Sequence, residues 1–172
     1  MHPGAHAAND PNKPAYVMAP RDGTGETVTY AALDAASNRF AHALRRFGLV
    51  LRDGIAICLE NSPRYYEIVW GAQRAGLYYT AVSTRLTPGE LEYILNDCGA
   101  KVLVISKALA PLAEAVRDRI PNVTRKLMVG GTIPGYASFE ETIAAAPATP
   151  IADEREGTDL LYSSGTTGRP KG

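Results

Sequence analysis

Short, wholly apolar runs alternate along the chain with longer segments in which apolar side chains recur every three or four residues. The runs are Ile55 to Leu59, Leu77 to Val82, Val102 to Ile105 and Leu127-Met128-Val129. Apolar side chains at every position, rather than every second one, predict strands covered on both faces. Between them, Tyr65, Ile68, Val69 and Ala72, then Leu91, Ile94, Leu95 and Cys98, then Leu109, Leu112, Ala113, Val116 and Ile120 fall at helical spacing, which predicts amphipathic helices. The start and stop signals agree. Ser62-Pro63 is a cap followed by a proline suited to the first helical position, and Thr87-Pro88-Gly89-Glu90 has the spacing of a capping box. Gly76, Gly99 and Pro121 stand where the three helices must end. Upstream, Ala15 to Ala19 and Thr27 to Tyr30 flank the turn-rich segment from Pro20 to Gly25, a hairpin pattern. Thr29 is placed to cap a further helix whose Leu33, Ala36, Phe40, Leu44 and Phe47 share a face, with Arg45 and Arg46 at its negative end and Gly48 as its stop. Ser138 and Glu141 predict a second capping box that opens a short helix to Ala146.

Strands alternating with helices of this length form βαβ units, so the fold class is α/β, a largely parallel sheet with helices on both faces. A last strand is expected at Leu160-Leu161, leading into a final loop. Ligands of such sheets bind beyond the carboxyl ends of the strands, which is where that loop would stand. Residues 147–157 are read as a linker, because Ala146 to Pro150 is too proline-rich for regular structure and Asp153-Glu154-Arg155-Glu156 is a charged, solvated run. Tyr65, Tyr66, Trp70, Tyr78 and Tyr79 are assigned to the core for the area their rings bury, with a ligand wall as the alternative.

The totals remove several function classes. With 45% hydrophobic and 21% charged residues in 172, the chain has the composition of a globular domain with a core of its own. Eighteen basic residues balance eighteen acidic ones, so no electrostatic footprint points to nucleic acid. The amino-terminal segment lacks the charged and apolar regions of a signal peptide, and no run has the length of a transmembrane helix. A cytoplasmic location is the expectation. Cys58 and Cys98 are far apart and outside any CxxC pattern, which argues against a disulfide framework or a zinc site; both are assigned to the core as small hydrophobes. His2, His6 and His42 have no metal-binding pattern, and His42 is read as solvated.

The chemistry is concentrated in the run Tyr162-Ser163-Ser164-Gly165-Thr166-Thr167-Gly168-Arg169-Pro170-Lys171-Gly172. Its glycines allow close backbone approach, successive N–H groups can form an anion-binding nest, and Ser163, Ser164, Thr166 and Thr167 add hydroxyl donors. Lys171 adds a mobile positive charge. Together these suit phosphate. A Walker A loop needs glycine before the lysine and Ser or Thr after it; Pro170 and Gly172 occupy those places, so the P-loop NTPase reading fails. The plain alternative is a flexible Gly/Ser/Thr spacer.

The same run resembles, nearly letter for letter, the signature of the AMP-forming adenylating superfamily of acyl-CoA synthetases, luciferases and peptide-synthetase adenylation domains. The resemblance extends to Thr27-Val28-Thr29-Tyr30-Ala31-Ala32-Leu33, Glu60-Asn61-Ser62-Pro63 and Arg85-Leu86-Thr87-Pro88-Gly89-Glu90-Leu91, in the family's order. Departures are Arg52-Asp53-Gly54, where the family has Gly-Asp and a basic residue, and Ala81 and Ser83, where Pro and Asn are common. The resemblance implies that the loop embraces the β- and γ-phosphates of ATP, with Ser163, Ser164, Gly165, Thr166, Thr167, Gly168 and Lys171 as the binding residues. A carboxylic acid, a fatty acid in the acyl-CoA ligase branch, would then become an acyl-adenylate with release of pyrophosphate, and coenzyme A would displace AMP. It implies magnesium too, held by a motif absent from this chain, so no metal ligand and no catalytic residue are assigned here. Family members continue well past Lys171. The chain is therefore expected to be the N-terminal part of the large domain of an adenylate-forming enzyme, inactive alone, and either inclined to self-associate through uncovered apolar surface or ending in a mobile stretch with the phosphate loop disordered. The alternatives are an adenylation domain of a peptide synthetase, another carboxylate ligase, or a non-catalytic remnant that acts only by binding.

Overall fold

The computed structural model describes residues 2–19 and 25–162. Strands β1 (Pro14–Met18) and β2 (Glu26–Thr29) pair antiparallel, Tyr16 opposite Val28, as the hairpin pattern predicts; positions 20–24 of the turn lie outside the described residues. Thr29 Oγ1 accepts from Ala32 N at 3.2 Å and starts α2 (Tyr30–Arg46), whose Leu33, Phe40 and Leu44 are buried. Gly48, at φ +82°, turns the chain out of the helix, a conformation open to glycine without the steric penalty of a Cβ.

The predicted alternation follows: β3 (Gly54–Cys58), α3 (Pro63–Arg74), β4 (Tyr78–Ala81), α4 (Pro88–Asp97), β5 (Ala100–Ser106), α5 (Ala110–Val116) and β6 (Arg125–Val129), then β7 (Ala137–Ser138), α6 (Phe139–Ala144) and β8 (Thr158–Asp159). Both halves of the α4 capping box are present, Thr87 with Glu90 N and Glu90 with Thr87 N. The six strands from β3 to β8 form one parallel sheet in the order β7-β6-β5-β3-β4-β8. Because side chains alternate across a strand, Ile55, Ile57, Val102 and Val104 pack toward α2, α3 and α6. Ala56, Cys58, Leu103 and Ile105 pack toward α4 and α5. The two-layered cover on a parallel sheet is the expected α/β architecture.

Several elements differ from the sequence expectation. Helix α5 stops at Val116 rather than continuing to Pro121. The Ala113 carbonyl, which a continuing helix would offer to Arg117 N, receives the Tyr136 hydroxyl at 2.8 Å, and Arg117 N turns to Glu114 O at 3.4 Å. A tighter turn then carries Ile120 into the core. Strand β8 lies two residues before the expected Leu160-Leu161, and Leu161 is 69% exposed. The aromatic side chains reach the core only in part: Tyr65 and Tyr79 pack against its edge, and none of the five is fully buried. Tyr66 is 47% exposed and Tyr65, Trp70, Tyr78 and Tyr79 are half-buried, because the buried stripe of α3 is carried by Ile68, Val69 and Ala72. Cys58 is buried as expected, and Cys98 is half-buried but packs against the same core cluster. His42 is half-buried, with Nε2 2.9 Å from Thr149 O.

Residues 147–157 run across α2 and α3. Asn38 Nδ2 donates to Ala148 O at 2.8 Å, Arg45 Nε to Asp153 Oδ2 at 3.0 Å, and Gly157 N to Gln73 O at 2.8 Å. Ile151 is buried among them, while the charged side chains from 153 to 156 stay on the exposed side. Beneath this strap lies the fully buried guanidinium of Arg74, 2.6 Å from Asp34 Oδ1 and 3.3 Å from Glu154 Oε1.

An unanticipated helix, α1 (Pro3–Asn9), packs on α2. His2 caps it, Nδ1 accepting from Gly4 N at 3.2 Å with Arg74 Nη2 3.3 Å away. Burial first, and then the charge of Arg74, hold the His2 imidazole below its ordinary pKa against the opposing fields of Glu154 and Asp34. Folding thus favours the neutral ring. Its contribution is complete above the unfolded value of about 6.5 and is lost as pH falls below that value toward the folded one. Amide exchange protection in α1 is expected to fall between pH 7 and pH 5 relative to that of α2, with constant relative protection contradicting the assignment.

Candidate functional site

The carboxyl ends of β3, β4 and β5 converge on a polar rim. Glu60 follows β3, Ser83 and Thr84 follow β4, and Ser106 closes β5. Ser106 Oγ donates to Glu60 Oε1 at 2.6 Å and accepts from Ala108 N at 3.1 Å, so one hydroxyl fixes the carboxylate and caps the 3-10 turn that precedes α5. Cys58 Sγ points to Ser83 O at 3.8 Å. Burial, with the charge of Glu60 behind it, pushes the Cys58 thiol up to about 12. It is neutral at physiological pH and lacks the thiolate character of a nucleophile.

Outside this rim is a recess of about 500 Å³ lined by Glu60, Ser83 and Thr84, among others. It adjoins a larger one of about 930 Å³ beneath the β1–β2 hairpin, bounded by Tyr16, Met18, Pro63 and Tyr66. Leu59, Asn61 and Tyr65 line both. The Tyr16 hydroxyl donates to Pro63 O at 2.9 Å, tying the hairpin to the start of α3, and burial raises the pKa of that phenol. Tyr16 and Tyr66 have ring centroids 4.9 Å apart. Tyr65 and Tyr66 therefore stand at a recess wall.

Strand β8 runs beside β4 in the same direction, with Leu160 N donating to Tyr79 O at 2.9 Å. The Tyr162 hydroxyl donates to Asp97 Oδ2 at 2.5 Å. The candidate residues Ser163, Ser164, Gly165, Thr166, Thr167, Gly168 and Lys171 follow immediately and lie outside the described residues. Sequence reasoning missed the Glu60–Ser106 and Tyr162–Asp97 pairs. Their partners are 46 and 65 residues apart, so no local pattern marks them. Among the described residues no three His, Cys, Asp or Glu side chains gather as a metal-ligand set, and no helix is long and apolar enough to cross a membrane.

The AMP-binding enzyme family matches residues 4–172. The chain is 32% identical over 177 residues to a 3-methylmercaptopropionyl-CoA ligase of Ruegeria lacuscaerulensis, covering 97% of this chain and 33% of that protein. It is 33% identical over 170 residues to the long-chain-fatty-acid–CoA ligase FadD13 of Mycobacterium tuberculosis, covering 96% of this chain and 32% of that one. Its fold is similar to that of a fatty acyl CoA synthetase from Mycobacterium tuberculosis, with a TM-score of 0.84 and 29% identity over 99% of this chain and 32% of that chain. It is also similar to the anthranilate CoA ligase AuaEII in complex with anthranoyl-AMP, with a TM-score of 0.82 and 28% identity over 95% of this chain and 32% of that chain. The chain thus spans about a third of the length of the relatives it matches. Acyl-CoA ligases recur among these relatives in sequence and in fold, and the chain belongs to the AMP-binding enzyme family.

Proposed function

We propose that residues 1–172 are the N-terminal part of the AMP-binding domain of an acid–thiol ligase that acts in the cytoplasm. The carboxylate oxygen of a carboxylic acid, a fatty acid on this reading, attacks the α-phosphorus of ATP. The bond to the bridging oxygen breaks and pyrophosphate leaves with its electrons. The sulfur of coenzyme A then attacks the acyl carbon and AMP departs. The observation that carries the reading is the loop sequence from Ser163 to Lys171, separated from strand β8 by Leu160, Leu161 and Tyr162. Ser163, Ser164, Gly165, Thr166, Thr167 and Gly168 are assigned to the β- and γ-phosphates through backbone N–H groups and hydroxyls, and Lys171 as a point charge. Magnesium belongs to this chemistry by family membership; none of the described residues is assigned to it, and no step is routed through it.

The test uses the protein carrying this chain together with the downstream length its relatives have. Lys171→Ala is expected to slow pyrophosphate release about a hundredfold, the scale of losing one donor to developing charge, and Thr166→Ala is expected to slow it as well. Both variants should leave thioester formation from supplied acyl-adenylate nearly unchanged, since pyrophosphate leaves only in the first half-reaction. Equal slowing of both half-reactions would contradict the assignment.

A further inference from the structure

We infer that Tyr162 is a positioning residue for the phosphate loop, its hydroxyl held on Asp97 so that the chain enters Ser163 from a fixed point. The inference rests on the reading of Ser163 to Lys171 given above. Strand β8 itself is a weak platform, two residues long and exposed on the edge of the sheet. Beyond the bond from Leu160 N to Tyr79 O, the attachment passes to a side chain. Leu161 faces solvent, and the Tyr162 ring turns inward against the core cluster on the α4 and α5 side of the sheet. There its hydroxyl donates to Asp97 Oδ2.

Two features separate this bond from incidental surface contact. Asp97 is the last residue of α4, the end at which a negative charge opposes the helix dipole, so helix stability does not account for a carboxylate there. The acceptor is charged, and such bonds are shorter and stronger than neutral ones. Burial, together with the hydrogen bond and the charge of Asp97, raises the pKa of the Tyr162 phenol, so the donor keeps its proton throughout the neutral range. A loop that must present the α-phosphorus to an incoming carboxylate needs a fixed root, because a misplacement of about 1 Å can cost on the order of a hundredfold in rate.

The experiment compares Tyr162→Phe, Asp97→Ala, the double variant and Lys171→Ala in the protein with its downstream length. Phenylalanine keeps the ring packing and removes only the donor. Each single variant at 162 or 97 is expected to raise the KM for ATP in pyrophosphate release about tenfold, the scale of one hydrogen bond to a charged group. The thermal midpoint and thioester formation from supplied adenylate should stay near wild type, and the double variant should be no worse than either single one. Unchanged KM in Tyr162→Phe, parallel slowing of both half-reactions, or additive effects in the double variant would overturn the inference. If Lys171→Ala slows pyrophosphate release and Tyr162→Phe does not, this inference alone falls. If Lys171→Ala is inert, the loop reading falls and takes the inference with it.

Discussion

Gly157→Ala is expected to cost about 3 kcal/mol, the upper range for forcing an extra carbon into a packed site, and to loosen β8 from β4. A Cβ at position 157 would stand 2.3 Å from Leu77 O, 2.8 Å from Leu77 N and 3.1 Å from Gln73 Cα. All three are backbone atoms, of Leu77 just before β4 and of Gln73 in α3, so no side-chain rotation relieves the clash. The backbone would have to retreat, breaking the bonds from Gly157 N to Gln73 O and from Thr158 N to Leu77 O. For a domain of this size the thermal midpoint should fall by roughly 10 °C, with faster amide exchange at Thr158 and Leu160. A midpoint within about 2 °C of wild type would refute the close approach.

Asp34→Asn is expected to be comparably damaging for an electrostatic reason. The Arg74 side chain has no exposed surface, and its Nε and Nη1 lack hydrogen-bond partners among the described residues. Asp34 is its close counter-ion at 2.6 Å, whereas Glu154 is more distant at 3.3 Å and 38% exposed. Removing the Asp34 charge leaves a buried cation poorly compensated, a change worth about 3–5 kcal/mol. Arg74→Met should cost less, because the Asp34 carboxylate it strands is 21% exposed and can take up water. Urea unfolding of the two variants tests the order. A smaller loss for Asp34→Asn than for Arg74→Met would mean that desolvation of Arg74 is not the controlling cost.

The central strands and their caps were legible because their signals are local. Runs such as Val102 to Ile105 need cover on both faces, and the box from Thr87 to Glu90 is written within four residues. What escaped depends on partners far along the chain. The end of α5 is decided by the Tyr136 hydroxyl, 23 residues from the carbonyl it takes. The position of β8 is decided by register against Tyr78 and Tyr79, although the apolar pair Leu160-Leu161 had pointed further on. Ring size alone does not fix burial: Tyr65 and Tyr79 pack on the edge of the core, while Tyr66 stays exposed on α3, whose buried stripe is carried by Ile68, Val69 and Ala72. The charged run after Pro150 was legible as solvated, but its bonds to α2 and α3 were not. For the candidate site, the residue types from Ser163 to Lys171 carry the phosphate assignment in the sequence alone and lie outside the described residues, whereas the bond from the Tyr162 hydroxyl to Asp97 required the fold.

The placement of β8 also bears on the order in which the protein assembles during synthesis. Strands β3 to β7 and the helices between them lie within residues 54–144, and their mutual pairings need nothing made later. Strand β8 must return from residue 158 to residue 78, although the entropic cost of closing a long loop grows only logarithmically with its length. At ribosomal rates the stretch between β7 and β8 takes roughly a second or more to appear. During that interval the outer side of β4 is a row of unpaired amides and carbonyls of the kind that recruits foreign strands. Asn38, Arg45 and Gln73, all translated long before, already hold the attachment points, so the nascent strap meets a prepared track and closes the edge as it emerges.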